Sequence, residues 1–303
     1  MIDMGVSIAG IKLRNPVMPA SGTFGSGYEM SQVMDIHKLG AVVTKGVSMV
    51  PWKGNPTPRI AETTSGMLNS IGLQNSGVEE FIKYDIKSLQ EYREKGGVVI
   101  VNVAGHTIQE YVEVVERLCE EKIDMIELNI SCPNVAEGGV AFGTNPTVAE
   151  NVVREVKKVC TRPLIVKLTP NVTDIVTIAK AVEVGGADAI SLINTLIGAK
   201  IDIEKRAFVI AKNYGGLSGP AIKPVAVKMV HQVAQNTKLP IIGLGGIMTA
   251  EDAIEFIMAG ATAVAVGTAT FANVGALENI IDGMNTWCDN HNIVNLSEIK
   301  GVV

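Results

Sequence analysis

Residues 125–134 read MIELNISCPN, and the abrupt stop of this run governs how the whole fold is read. Met125 to Ile130 has the apolar, β-branched character of a strand, and Pro133 cannot donate to a sheet ladder, so the strand ends close to Cys132. A thiol is thereby set at a strand's C-terminal tip, ahead of a loop whose glycines are Gly138, Gly139 and Gly143. On position alone Cys132 is open to four roles: packing, metal ligation, nucleophilic attack and proton transfer.

Outward from this run the same pattern repeats. Short apolar stretches at 17–20, 41–44, 98–103, 163–168, 189–194, 240–244 and 263–266 join 125–130 as strand candidates. Most are continuous rather than alternating, the mark of parallel strands buried on both faces. Between them, 107–122, 173–184 and 249–259 carry apolar residues at helical spacing, with Thr107, Thr173 and Thr249 as expected N-caps. Asn145-Pro146 reads as a further helix start, with proline at the first helical position. Eight strands alternating with helices predict an α/β fold, a single (β/α)8 TIM barrel spanning 1–303 as one domain. Residues 47–75 and 196–217 each follow a strand end and fit neither pattern, so they are expected as long loop insertions over the C-terminal mouth. Residues 4–14 are expected to form a short hairpin closing the bottom.

Composition narrows the function classes. The chain has 303 residues, 47% hydrophobic and 19% charged, with net charge −5, which suits a globular protein with a large core. Aromatic content of 4% speaks against a stacking platform for nucleic acid. The N-terminus lacks the basic start, apolar core and cleavage site of a signal peptide, and no run is long enough to span a bilayer. Cys119, Cys132, Cys160 and Cys288 are scattered, with no CxxC pair, which fits a reducing cytoplasm and no internal iron–sulfur site. Cys119, Cys160 and Cys288 lie on helical stretches and read as packing residues.

Strand tips in a barrel converge on one site. Here they present Ser21-Gly22, Lys45-Gly46, Asn102, Asn129 with Cys132, Lys167, Asn194-Thr195, Gly245-Gly246 and Gly267-Thr268. No tip carries a histidine and carboxylates are scarce, which argues against a metal centre or paired-carboxylate hydrolysis. Glycine-rich tips after the seventh and eighth strands suit phosphate, although tight turns alone also need glycine. Lys45 and Lys167 each end an apolar strand, and their partner is either an anionic ligand or a distant carboxylate such as Glu127. Asn69, Asn102, Asn129 and Asn194 either satisfy backbone groups or read the alternating C=O and N–H edges of a pyrimidine or flavin.

Taken in order, NPVMPASGTFG (15–25), TKGVS (44–48), GNPTPR (54–59), NSIGLQN (69–75), ELNISCPN (127–134), VKLTPN (166–171), NTLIGAKID (194–202), GGLSGPAIKP (215–224), GLGGI (243–247) and VGTATF (266–271) resemble the class 1 dihydroorotate dehydrogenases over nearly the whole chain. The loop at 134–144 is most similar to the NAD-linked subgroup, class 1B. The resemblance implies a catalytic FMN subunit in the cytoplasm that oxidises dihydroorotate to orotate in pyrimidine biosynthesis. It further implies a homodimer, joined into a heterotetramer by an electron-transfer subunit that carries FAD and a [2Fe–2S] cluster and passes electrons to NAD. FMN would contact Ser21, Lys45, Gly46, Asn102, Asn129, Lys167, Ile193, Gly219, Gly245, Gly246, Gly267 and Thr268. Substrate would contact Lys45, Asn69, Ser70, Ile71, Gly72, Leu73, Asn129, Asn194 and Thr195. Cys132 would be the general base at C5, on a loop that opens and closes, with hydride leaving C6 for FMN and Lys45 stabilising negative charge.

Three other readings share parts of this pattern. A lyase or isomerase of phosphorylated sugars would use Lys45 or Lys167 as a Schiff-base amine. A pyrimidine reductase resembling the flavin domain of dihydropyrimidine dehydrogenase would also use a loop cysteine. A fumarate-linked dihydroorotate dehydrogenase would need no electron-transfer subunit. A non-catalytic binding barrel is disfavoured because Cys132 and both lysines converge on one mouth. Direct quinone use is disfavoured by the lack of an N-terminal membrane segment.

Overall fold

Eight apolar runs become eight parallel strands in a computed structural model that describes residues 2–131, 136–137 and 140–303. They are β1 (Val17–Pro19), β2 (Val42–Val43), β3 (Val99–Val103), β4 (Met125–Asn129), β5 (Leu164–Lys167), β6 (Ala189–Leu192), β7 (Ile241–Leu244) and β8 (Ala263–Val266). Their hydrogen-bonded order is β1-β8-β7-β6-β5-β4-β3-β2, and Gly40 N donates to Val17 O at 2.9 Å, tying the approach to β2 back onto β1. The fold is a (β/α)8 barrel. Its strands are buried along their length, which explains why their sequences do not alternate.

The barrel interior is layered. Met18, Val43, Ile100, Met125, Ile165, Ala189, Ile242 and Ala263 belong to one buried apolar cluster inside the ring. Ile8 and Leu13 complete that cluster from below. They come from the expected hairpin, where Val6–Ile8 pairs with Ile11–Leu13 across Ala9 and Gly10, both at positive φ (48° and 86°). Above the apolar layer the inward positions turn polar, beginning with Asn102, Glu127 and Ser191.

Side-chain caps start the outer helices. Thr107 accepts from Glu110 N, Asn145 from Val148 N, and Thr249 forms a capping box with Asp252. Thr173 is not a cap. Asp174 takes that place, accepting from Val176 N and the Thr177 hydroxyl, because a carboxylate with two acceptor oxygens serves two donors there. Among the described residues, no helix is long and apolar enough to cross a membrane.

The two insertions do lie over the mouth, but they are not irregular loops. Ile60–Thr63 and Gly66–Asn69 from the first pair with Tyr214–Ser218 and Leu196–Ala199 from the second, in one four-stranded antiparallel sheet. Glycines at 66, 198, 215 and 216 weaken the local strand signal, and the pairing is long-range, so neither segment shows the sheet by itself.

Candidate active site

Between the barrel's strand tips and this roof lies a cavity of about 860 Å³. Its lining includes Ser21, Lys45, Gly46, Asn102, Asn129, Lys167, Ile193, Gly219, Gly245, Gly246, Gly267 and Thr268. Asn69, Ser70, Ile71, Gly72, Leu73, Asn194 and Thr195 line it as well. Every site residue named from the sequence is therefore brought to one cavity, apart from Cys132. Cys132, Pro133, Gly138 and Gly139 lie outside the described residues.

The floor holds the only two charged side chains that are buried among the described residues, Glu127 and Lys167. They stand 3.8 Å apart (Oε2 to Nζ), and Lys167 also reaches Ser21 Oγ at 3.4 Å. Adjacent strands place them: Ile165 is level with Glu127 and Lys167 with Asn129, so Glu127 sits one pleat deeper than the lysine. Asn102 Nδ2 donates to Glu127 Oε2 at 2.5 Å and the Ser191 hydroxyl to Oε1 at 2.7 Å.

That carboxylate imposes a direction on the amides above it. Because it only accepts, Asn102 gives it the NH2 group and turns its carbonyl to Asn129 Nδ2, 3.5 Å away. The Asn129 carbonyl then accepts the Ser131 hydroxyl at 2.5 Å, and Ser131 Oγ accepts Asn194 Nδ2. Asn194 Oδ1 in turn takes the Thr195 N–H at 2.8 Å. Donors and acceptors around the cavity therefore follow one sense, starting from Glu127. Tyr111 OH braces Asn129 from the outer helix Ile108–Cys119, donating to its backbone carbonyl at 2.8 Å.

Glycines shape the opposite end. Gly245 and Gly246 follow β7 at φ 128° and 79°, a conformation that L side chains rarely adopt. A Cβ on Gly246 would stand 2.8 Å from Lys223 Cβ and 2.9 Å from Gly219 O. Nearby, the Thr268 hydroxyl donates to Ser218 Oγ at 2.8 Å. In the roof, Asn69 Nδ2 donates to Gly216 O at 3.4 Å, while a Cβ on Gly216 would overlap Thr195 Oγ1 at 2.0 Å.

A smaller cavity of about 190 Å³ lies behind Lys45 and Gly46, which border both spaces. Asp85 lines it; burial pushes its carboxyl up, against a lowering hydrogen bond from Ser26, and the charge of Glu29 raises it further.

Sequence reading missed four supports, Ser191, Ser131, Asn171 and Tyr111, and saw Glu127 only as a possible partner of a lysine. Glu127 and Ser191 sit two residues before Asn129 and Ile193, on the same strand faces, so period-two alternation alone places them inward. Ser131 extends the alternation of Glu127 and Asn129. Asn171 joins Thr195 O (3.0 Å) to Ile197 N (2.9 Å) and fixes the start of the roof strand, which no local signal announces. Tyr111 reads as one residue of an apolar helix face, and only the packing shows where its hydroxyl goes.

A cavity framed by two lysines, an amide chain and glycine turns invites comparison with known proteins. The family model for dihydroorotate dehydrogenase matches residues 3–287. The chain belongs to the dihydroorotate dehydrogenase family. It is 62% identical over 299 residues to "Dihydroorotate dehydrogenase B (NAD(+)), catalytic subunit" of Alkaliphilus oremlandii, covering 99% of this chain and 98% of that one. The proteins bearing the same name in Alkaliphilus metalliredigens and Lachnoclostridium phytofermentans are 60% and 58% identical. Coverage is 99% of this chain and 98% of the relative in the first case, and 100% of both in the second. Membership in this family makes the protein an oxidoreductase.

Proposed function

We propose that this chain is the catalytic subunit of an NAD-linked dihydroorotate dehydrogenase, that it works in the cytoplasm as one barrel domain, and that it holds FMN and dihydroorotate together in the large cavity. The observation that carries the reading is the cavity itself. It joins an amide- and lysine-lined half to a glycine-lined half, at a volume near the top of the roughly 300–1,000 Å³ usual for small-molecule sites. The donor set fits a flavin nucleotide. Lys167, Asn102 and Asn129 offer N–H groups to a planar, carbonyl-rich ring, while Gly245, Gly246, Gly267 and Thr268 offer unhindered backbone and a hydroxyl to a phosphate. A Cβ placed on Gly22, which also lines the cavity, meets no atom of the described residues within 4 Å apart from its chain neighbours, so that wall leaves room for a ligand.

When bound, FMN supplies a two-electron acceptor for the hydride given up at C6 of the substrate. The chain's own residues do the rest. Cys132 takes the proton at C5, which is acidified by the neighbouring carbonyl, as general base. Lys45, beside the reacting centre, stabilises the negative charge that develops as that proton leaves. Asn69, Asn129 and Asn194, with the backbone from Ser70 to Leu73 and Thr195, hold the pyrimidine edges and the carboxylate. The direction imposed by Glu127 determines which atoms of Asn129 and Asn194 donate and which accept. Two copies of the chain, paired with an electron-transfer subunit carrying FAD and a [2Fe–2S] cluster, would form the complete enzyme. The names of the relatives, a "catalytic subunit" and "NAD(+)", support that arrangement.

The test begins with the absorption spectrum of the purified protein, which should be that of a flavin. Anaerobic dihydroorotate should bleach it with release of one orotate per flavin, and dihydrouracil should not. A colourless protein, or equal bleaching by both compounds, sinks the reading. Reduction of NAD should appear only after co-expression with the partner; reduction of fumarate by this chain alone would overturn the NAD assignment.

A further inference from the structure

Glu127 and Lys167 are the only buried charged side chains among the described residues, and they face one another in the barrel floor. Lys167 lines the cavity; Glu127 is not among its lining residues and lies one pleat beneath, on the far side of the ammonium. The carboxylate is not there to hold the strands together. A buried ion pair contributes little net stability, since the loss of two hydration shells offsets the attraction. Asn102 and Ser191 donate to this carboxylate and the Lys167 ammonium stands 3.8 Å from it, so three groups hold it in place.

We propose that Glu127 is a positioning residue that sets the reduction potential of the bound flavin by balancing Lys167 from beneath. This rests on the reading that the cavity holds a flavin. A reduced flavin carries more negative charge than the oxidised one, so a lone ammonium at its edge favours reduction and raises the potential. A carboxylate behind that ammonium cancels part of its field and holds the potential lower, so that electrons taken from substrate can be passed on. In a low-dielectric interior such fields are weakly screened, and the balance is felt across the cavity floor.

The experiment measures the midpoint potential of the bound flavin by dye-equilibrated reductive titration in the wild type, Glu127→Gln, Lys167→Gln and the double variant. Glu127→Gln should favour the reduced flavin at least tenfold, an upward shift of about 30 mV for a two-electron couple. Lys167→Gln should shift the potential downward, and the double variant, neutral at both positions, should return close to the wild type. A purely structural role for Glu127 predicts no such opposition of sign and no restoration. An unmoved or lowered potential in Glu127→Gln, or a double variant that keeps the upward shift, overturns the proposal. If Glu127→Gln does not fold, the double variant must lie above Lys167→Gln, and equality of those two overturns it. A wild type without flavin refutes this proposal together with the functional reading; a flavin-bearing wild type whose variants do not move refutes only the role of Glu127.

Discussion

The Ser131 hydroxyl donates to the side-chain carbonyl of Asn129 at 2.5 Å, and Ser131 Oγ accepts from Asn194 Nδ2. One small side chain thus joins two amides contributed by different barrel strands. Ser131→Ala removes the hydroxyl from both amides: Asn129 Oδ1 keeps the residue-131 backbone N–H at 3.3 Å, while half-buried Asn194 Nδ2 loses this partner, at about 1 kcal/mol for each hydrogen bond lost. The Michaelis constant for dihydroorotate should rise by about tenfold or more, while flavin content stays at the wild-type level. Steady-state kinetics beside a flavin-to-protein absorbance ratio will check this.

Cys132→Ser replaces a thiol, a group whose ordinary pKa is about 8.5, with a hydroxyl that does not ionise in the working range. Flavin reduction by dihydroorotate should slow by about 10²–10⁴-fold, the usual contribution of a general base, with orotate affinity retained. Wild-type reduction should quicken as pH rises toward the thiol's pKa, and the variant should lose that rise. Anaerobic stopped-flow traces from pH 6 to 9 decide the matter, and a normal rate in the variant removes Cys132 from the mechanism.

Gly246→Ala forces a Cβ to within 2.8 Å of Lys223 Cβ at a backbone φ of 79°. Left-handed backbone costs a non-glycine residue about 1–2 kcal/mol before the clash is counted. FMN should dissociate at least tenfold more readily and the melting temperature should fall. Ultrafiltration of the flavin and a thermal melt measure the two effects separately. Gly22→Ala is the control: apart from its chain neighbours, no atom of the described residues stands within 4 Å of its Cβ, so a loss of FMN affinity there should come without a loss of apoprotein stability.

Cys119 closes the helix Ile108–Cys119, and Cys160 follows the helix Pro146–Val159. Hydrogen bonds from the Cys160 thiol and from Thr161 N–H hold the half-buried Cys119 thiol down to about 5, while that same contact and burial push Cys160 up. A depressed thiol contributes stability that is complete above its ordinary pKa and is lost as pH falls through about 5. Cys119 should therefore be alkylated by iodoacetamide at pH 7 ahead of buried Cys160 and Cys288, and the rate should fall as pH approaches 5. Peptide mass mapping across pH 5–8 will show it, and equal labelling of all three would contradict the assigned hydrogen bonds.

The barrel and its mouth were legible because they rest on local signals. Continuous apolar runs mark parallel strands, threonine and asparagine caps mark helix starts, and each strand tip ends in a polar residue or a glycine. The roof sheet was not legible, because its strands are short, glycine-bearing and paired across the chain: Asn69 meets Gly216 at a separation of 147 residues. Thr173 yielded to Asp174 as cap because neighbouring residues of similar propensity compete on hydrogen-bond geometry, which sequence does not display. Glu127 was in view as a distant partner for a lysine. Its pairing with Lys167 in particular depends on the register of β4 against β5.

That separation of 147 residues also orders events during synthesis. The strand bearing Asn69 emerges from the ribosome early and can pair with Ile60–Thr63, yet it lacks its second neighbour until Tyr214–Ser218 has been made. The ring itself waits longer, since β1 finds its partner only when Ala263–Val266 arrives. A nascent chain released before that point carries the lysines, the amides and the glycine turn but no enclosed chamber, and it exposes unpaired strand edges. Ligand binding is therefore withheld until Ala263–Val266 has been made.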